Sequence, residues 1–281
     1  FTMPEESGFS GSFGTETQFV GGNKPTSARI AYYLKKRHTF GKMEMEIQDM
    51  EGNKIASLSP GKSKGINIVN WNYTSSIPKM AAGKTLSYGG FTAPRVPAGT
   101  YKVVLTKGKD KYETTIDVKY DEKSLTTLKE RKEQEQLTKQ LFNMVEELAY
   151  MVYELGELQN KANSVIENHP KGEKQAQKLQ DELEDLRKDL VITTGDNYVA
   201  AAEPELRERM ADLYSNIAGS FSRVTASQKQ NLELISEEFT EAKKRYSTIK
   251  NKEGEKFMKF LDKNELEKPT IKTKEEFLSE D

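Results

Sequence analysis

The chain has 281 residues, of which 31% are charged and 35% hydrophobic, and its formal net charge is −1. It contains no cysteine, which excludes disulfides, thiolate nucleophiles and cysteine-ligated zinc. No apolar run approaches the ~20 residues of a membrane-spanning helix, and the near-neutral balance sets up no global attraction to nucleic acid or to a membrane.

The two halves of the chain differ in charge and in pattern. Residues 1–120 contain 17 basic and 10 acidic residues, whereas residues 121–281 contain 26 and 34. The length suits two domains, since single cores usually stop growing at about 250–300 residues. An asymmetry of this kind can orient a protein against a charged partner, but the mixing of both signs favours a solvated surface.

Residues 1–25 are rich in glycine, serine and threonine and have few aliphatic residues, so we predict an extended connector. The chain starts with phenylalanine, and we expect a processed product or fragment whose targeting segment lies upstream. The connector is either a partly ordered lead-in or a contact with an upstream domain. The candidate contact residues are Phe9, Phe13 and Phe19.

Residues 26–120 alternate between apolar and polar positions, which is the period of half-buried strands. Between two of these segments, residues 51–54 (Glu-Gly-Asn-Lys) predict a hairpin turn because glycine and asparagine tolerate positive φ. Short strands separated by turns are typical of an antiparallel immunoglobulin-like β-sandwich. The predicted strands are Ala28–Leu34, Met43–Ile47, Ile55–Leu58, Gly65–Trp71, Thr100–Thr106 and Tyr112–Val118.

Residues 121–250 follow the spacing of amphipathic helices. Apolar positions recur at 4-3-4-3 from Leu137 to Val165, with Ser124 as the predicted N-cap and His169-Pro170 as the stop. Three further helices follow, and Thr225 with Gln228 predicts a capping box before the last. Their predicted core positions are Ala176, Leu179, Leu183, Leu186, Leu190; Leu206, Met210, Leu213, Ile217, Phe221; and Leu232, Ile235, Phe239, Ala242, Tyr246, Ile249.

These patterns predict an α+β multidomain chain, in which the sandwich is followed by an antiparallel four-helix bundle. The competing interpretation is a long coiled coil, which the breaks at Pro170 and at residues 193–203 count against. Residues 251–281 are predicted to form a charged tail with one short helix, which precedes either disorder or a strap. The apolar positions of that helix are Phe257, Phe260, Leu261 and Leu266.

We predict no catalytic, cofactor-binding or metal-binding residue in this sequence. The two histidines, His38 and His169, lie beside predicted turns and far apart in sequence. Neither a phosphate-binding glycine loop nor a His-Glu-x-x-His motif occurs. The basic run 35–38 (Lys-Lys-Arg-His) lacks interleaved aromatic residues, which favours a solubilising strand edge over a nucleic-acid site.

One aromatic group is a candidate for contact with a ligand or partner: Trp71, Tyr73 and Tyr88. Exposed, these rings would stack on the apolar face of a sugar. Buried, Trp71 is a residue of the sandwich core, and its position on an alternating strand favours that alternative.

Four short segments, at residues 23–34, 47–55, 65–71 and 97–101, follow one another in a distinctive order. They resemble the entry strand, the next hairpin and later elements of the C-terminal region of exported bacterial sortilin-like proteins with Asp-box (BNR) repeats. Residues 204–213 and 224–228 resemble the helical region that closes the family. Similar features occur in the immunoglobulin-like domains of flagellar hook-capping proteins and of secretion-linked bacterial proteins.

The resemblance has limits that bear on function. The family's propeller, often described as glycosidase- or sialidase-like, has Asp-box repeats, and no such repeat occurs here. Asn-Lys-Pro at 23–25 replaces the usual Asn-Pro-Pro, and the loop 75–97 is long for the family. These departures leave the packing of the domains open, though not the fold.

The resemblance implies a non-catalytic interaction or assembly module of an exported protein at the periplasm, outer-membrane surface or cell exterior. Its expected partner is an upstream β-propeller domain or another envelope protein, with a membrane-associated complex as one expected setting. No transmembrane segment and no nucleic acid are expected. Two alternatives remain open. One is an accessory region of a glycosidase-like enzyme whose β domain contacts sugar, and the other is a helical adaptor subunit of an envelope complex.

Overall fold

The computed structural model describes residues 1–3, 26–85, 88–122, 124–193 and 203–280. The chain divides into two compact units that interleave in sequence, whereas the predicted domains were contiguous stretches. Unit 1 comprises Phe1–Ser76, Ala93–Glu135 and Gly219–Arg223, and unit 2 comprises Ile77–Thr92, Gln136–Ala218 and Val224–Asp281.

Unit 1 contains two antiparallel sheets. One has the order β1-β4 and the other β3-β2-β5-β6. Every predicted strand is present, with ends that differ from the prediction by at most two residues. The strands are β1 (Ala28–Leu34), β2 (Met43–Gln48), β3 (Lys54–Leu58), β4 (Gly65–Trp71), β5 (Gly99–Lys107) and β6 (Asp110–Val118).

The strands form because their apolar residues alternate, and each sheet turns one set of side chains inward. Met43, Met45 and Ile47 of β2 are buried, as are Val69 and Trp71 of β4, and residues of both sheets join one hydrophobic core. The predicted turn between β2 and β3 is confirmed. Gly52 has a φ of 93°, and a carboxylate oxygen of Asp49 accepts a 2.8 Å hydrogen bond from the Asn53 amide.

The helices lie mainly in unit 2, although residues 128–135 of the first belong to unit 1. A π-helical stretch, Lys250–Gly254, joins the fourth helix to the fifth, and a 3₁₀ turn spans Tyr88–Phe91. The α-helices are α1 (Leu128–Asn168), α2 (Glu173–Leu190), α3 (Leu206–Ala218), α4 (Ala226–Ile249), α5 (Glu255–Lys263) and α6 (Lys274–Ser279).

Heptad positions form the core of unit 2. The five apolar positions predicted for α2 are all at most 1% exposed, and those of α1 from Leu141 to Val165 are buried as well. The capping box of Thr225 and Gln228 at the start of α4 is confirmed. α1 ends at Asn168, directly before His169 and Pro170, as predicted.

Two predictions about helix ends are wrong. α1 begins three residues later than expected, because Thr127 caps it: the Glu130 amide donates to the Thr127 hydroxyl at 3.3 Å. Ser124 instead accepts a bond from the Thr126 amide at 3.0 Å in the preceding turn. α3 ends at Ala218, so Phe221 lies beyond it, and the ring of Phe221 packs 3.3 Å from the Arg95 guanidinium in unit 1.

After the tail helix, the sequence predicted either disorder or a strap. The described residues of this segment form a strap. The Phe277 ring of α6 stacks on Tyr153 of α1 at 4.7 Å between centroids. The Tyr150 hydroxyl donates to the Lys272 carbonyl at 2.9 Å, and the Lys79 ammonium lies 4.3 Å above the Phe277 ring. α6 was not predicted. Its capping box, Thr273 with Glu276, is the sequence signal that could have indicated it.

A glycine between α1 and α2 gives a test of this packing. A Cβ at position 172 would lie within 2.8 Å of Val165 Cγ1 and closer still to the Phe260 ring. We therefore expect Gly172→Ala to lower the free energy of unfolding of unit 2 by about 1–3 kcal/mol, measured by urea unfolding with far-UV circular dichroism.

The matched control is Gly156→Ala, in the middle of α1, where a Cβ meets nothing within 4 Å. There the same change should raise stability by roughly 0.5–1 kcal/mol, because alanine is the better helix former. Equal effects of the two substitutions would contradict the close contact at Gly172.

Candidate interaction surfaces

The aromatic group predicted to contact a ligand is buried where the structure describes it. Trp71 is 1% exposed and Tyr73 is 2% exposed. The Trp71 indole N–H donates to the Thr74 carbonyl at 2.8 Å, and the Tyr101 ring meets it edge-on at 5.5 Å. The hypothesis of surface contact is therefore corrected for both residues, since neither ring has a face free for a sugar.

The other candidate contact residues have no described side chain. Tyr88 begins the 3₁₀ turn of unit 2, but its side chain lies outside the described part of the chain. Phe9, Phe13 and Phe19 also lie outside the described residues. The structure thus brings Trp71 and Tyr73 together at 5.8 Å between ring centroids and leaves the contacts of the others as predictions.

Beside Trp71 lies a cluster of phenols with a structural role. The Tyr101 hydroxyl donates to the Pro97 carbonyl at 2.7 Å, and the Tyr120 hydroxyl donates to Glu135. The Arg131 guanidinium lies 4.7 Å from the Tyr120 ring. Burial raises the pKa of Tyr101 to about 12 and that of Tyr120 to about 12, and Glu135 adds to both shifts. The folded unit therefore favours the protonated phenols.

Unit 2 buries an ion pair that the sequence did not indicate. Arg207 and Glu208, at neighbouring positions of α3, are 6% and 8% exposed and approach each other to 2.6 Å. The Arg207 Nε donates to the Ala81 carbonyl at 2.7 Å, and the Thr85 hydroxyl donates to Glu208 at 2.9 Å. The pair thus fastens residues 81–85 onto α3. Neighbouring charges on a helix face different directions, so the spacing gave no signal of this role.

The described ranges contain neither a candidate metal-binding cluster nor a candidate membrane-spanning helix. No group of three or more His, Asp or Glu residues there is placed to hold a metal ion. The His38 ring lies 3.2 Å from the Gly41 carbonyl oxygen, and His169 takes part in the turn that ends α1. Among the described helices, none is both long and apolar enough to cross a bilayer.

An apolar surface lies on the outer face of the β1–β4 sheet. Tyr33 is 63% exposed, Ile66 74% and Ile68 47%. Tyr33 lies directly opposite Ile66, and Ala31, which is also exposed, lies opposite Ile68. We name Tyr33, Ile66 and Ile68 the outer patch. The solvated face of an antiparallel sheet is usually polar, and adjoining exposed apolar side chains mark interaction sites.

The sequence indicated part of the outer patch. Alternation along β4 puts Ile66 and Ile68 on one face, but Val69 and Trp71 make the opposite face apolar as well. Alternation alone did not show which face points into the core.

Comparison of the chain with protein-family models, with curated proteins and with solved structures gives no match.

We expect the phenol cluster to make unit 1 sensitive to alkali. An unfolded phenol ionises near pH ~10, whereas the folded phenols keep their protons to about pH 12, so the stability they contribute is complete below pH ~10 and lost as pH rises through that window. Trp71 is the only tryptophan, so its fluorescence in urea titrations reports this unit. The double variant Tyr101→Phe/Tyr120→Phe should lose less stability across the window.

The control for the alkaline experiment is Tyr112→Phe, which removes a phenol of the same unit that is 55% exposed. It should keep the pH profile of the unmodified chain. An unchanged profile in the double variant would show that the two buried phenols do not set the alkaline stability of unit 1.

The ion pair of α3 gives a second stability test. Arg207→Met leaves the Glu208 carboxylate buried without its partner, so we expect a loss of about 3–5 kcal/mol in the unfolding free energy of unit 2. Arg207→Met/Glu208→Leu leaves no buried charge and should recover most of that loss. Urea unfolding followed by circular dichroism measures both. A double variant no more stable than the single one would contradict this account.

Proposed function

We propose that this chain is a non-catalytic attachment module of an exported cell-envelope protein with a sortilin-like β-propeller upstream. In this proposal unit 1 is an immunoglobulin-like β-sandwich, and α1 to α4 form an antiparallel four-helix bundle. The two antiparallel sheets with a common core support the first assignment. The buried heptad positions of the helices support the second.

The outer patch is the observation on which the proposal depends. Exposed isoleucine and tyrosine side chains lie side by side on a short sheet, and covering them with another protein removes apolar area from water at about 25 cal/mol per Å². Both strands also belong to a sheet of only two, so each has an edge with unpaired backbone groups among the described strands. A protein surface can cover the apolar side chains and also pair with the backbone groups of the strand edge.

The occupant that we propose for the outer patch is the upstream propeller domain. The resemblance described from the sequence places that propeller before residue 23, and β1 is the first strand after it. In this proposal the propeller extends from residues 1–3, which lie along Lys119 after β6, to the sheet that contains the patch. The competing sugar-contact function loses its support, because the Trp71 and Tyr73 rings are buried.

The experiment compares amide hydrogen exchange in β1 and β4 between this chain alone and the protein encoded by its full reading frame. If the propeller covers the outer patch, exchange in both strands should be slower in the longer protein. Ile66→Asp should abolish this difference, because it places a charge in the covered interface. In this chain alone the same substitution should change stability by no more than about 0.5 kcal/mol, since residue 66 is 74% exposed.

The matched control is Leu234→Asp on α4, where the leucine is 53% exposed outside the patch. It should leave the exchange difference in β1 and β4 unchanged. Identical exchange in the two proteins would overturn the attachment role of the patch. A full reading frame without a propeller would overturn the identity of the occupant.

A further inference from the structure

Three loops of unit 1 meet at one end of its sheets. Residues 35–42 join β1 to β2, residues 59–65 join β3 to β4, and residues 107–111 contain the turn between β5 and β6. The His38 amide donates to the Lys62 carbonyl at 2.9 Å, and the Gly108 amide donates to the Lys42 carbonyl at 2.9 Å. Backbone hydrogen bonds thus fasten all three loops together, and we name this end the basic tip.

The basic tip concentrates positive charge. Residues 35–42 and 59–65 contain no acidic residue, and Asp110 is the one acid in residues 107–111. Among the described residues, the one ion pair formed by the tip's cations joins Lys42 to Glu44 at 2.9 Å. The cations are Lys35, Lys36, Arg37, Lys42, Lys62, Lys64, Lys107, Lys109 and Lys111.

Hydrogen bonds within the protein order the loops of the basic tip in the absence of a ligand. Asn67 of β4 is 8% exposed, and its side-chain amide donates to the Ser63 carbonyl at 2.8 Å while its oxygen accepts from the Ser63 amide at 3.2 Å. Gly41 and Gly65 have φ values of 90° and 97°, which favour glycine. A preordered surface binds without a large cost of ordering its loops.

Phe40 lies in the loop 35–42 beside these cations, and its side chain is 88% exposed. It is the only Phe, Tyr or Trp residue in the three loops. Proteins that hold single-stranded nucleic acid usually offer several aromatic rings for successive bases. A single apolar side chain surrounded by cations instead fits a bilayer surface, where phosphate groups meet the cations and the ring enters the boundary of the acyl chains.

We propose that the basic tip binds the anionic headgroup surface of a lipid bilayer, with its cations on lipid phosphates and Phe40 inserted at the interface. Each lysine close to such a surface multiplies the affinity roughly fivefold, and the insertion of Phe40 adds an apolar contribution that salt does not screen. The proposal does not depend on the proposed function, because the basic tip and the outer patch share no residue. Ile66→Asp, which tests the outer patch, changes neither the cations of the tip nor Phe40.

The test measures co-sedimentation of the full chain with phosphatidylcholine vesicles that contain or lack phosphatidylglycerol. Binding should require the anionic lipid and weaken as salt is added. Lys36→Glu/Lys62→Glu/Lys64→Glu should lower the affinity by on the order of 100-fold or more. The control Lys54→Glu/Lys139→Glu/Lys252→Glu makes the same change in net charge away from the tip, and it should lower the affinity far less.

Phe40→Ser separates lipid from other polyanions. It keeps every cation and removes an exposed side chain, so the chain should stay folded, lose roughly tenfold in vesicle affinity and keep its affinity for soluble dextran sulfate. Vesicle binding unaffected by Phe40→Ser would overturn the lipid assignment in favour of a soluble anionic polymer. Equal losses in the two lysine variants, or no dependence on phosphatidylglycerol, would overturn the tip as a binding site.

Discussion

The burial of Trp71 at the end of β4 is the constraint on which the features of unit 1 depend. Its indole N–H satisfies the Thr74 carbonyl, and its ring fills the core against Tyr101. Because side chains alternate along a strand, burying residue 71 also turns residues 69 and 67 inward and residues 66, 68 and 70 outward. A single large side chain thereby fixes the face that Ile66 and Ile68 present to solvent.

The same alternation connects the core to the basic tip. Asn67 is turned inward with Trp71, and there its amide satisfies both backbone groups of Ser63. A buried polar side chain needs such partners, so the loop 59–65 takes a shape in which Lys62 and Lys64 remain exposed. The two proposed surfaces of unit 1, the outer patch and the basic tip, therefore follow from the orientation of one strand.

The structure of unit 2 depends on two kinds of contact, one local and one between residues distant in sequence. Its helices follow from heptad spacing, but the positions of its non-helical segments depend on polar contacts between residues distant in sequence. Arg207 and Glu208 hold residues 81–85, and Tyr150 and Tyr153 hold the strap that contains Phe277. Local helix propensity contains no information on these pairings, because each joins residues at least 119 positions apart.

The sequence by itself determined the six strands, the helices α1 to α5 and most of their buried positions, because periods of 2 and of 3.6 residues are local properties of the chain. It favoured a core position for Trp71 over an exposed one without deciding between the two. It did not determine which face of β4 is buried, since both faces have apolar residues, nor that residues 35–42, 59–65 and 107–111 form one surface. Only the tertiary structure decided these points, because burial and the pairing of loops are set by contacts between residues far apart in sequence.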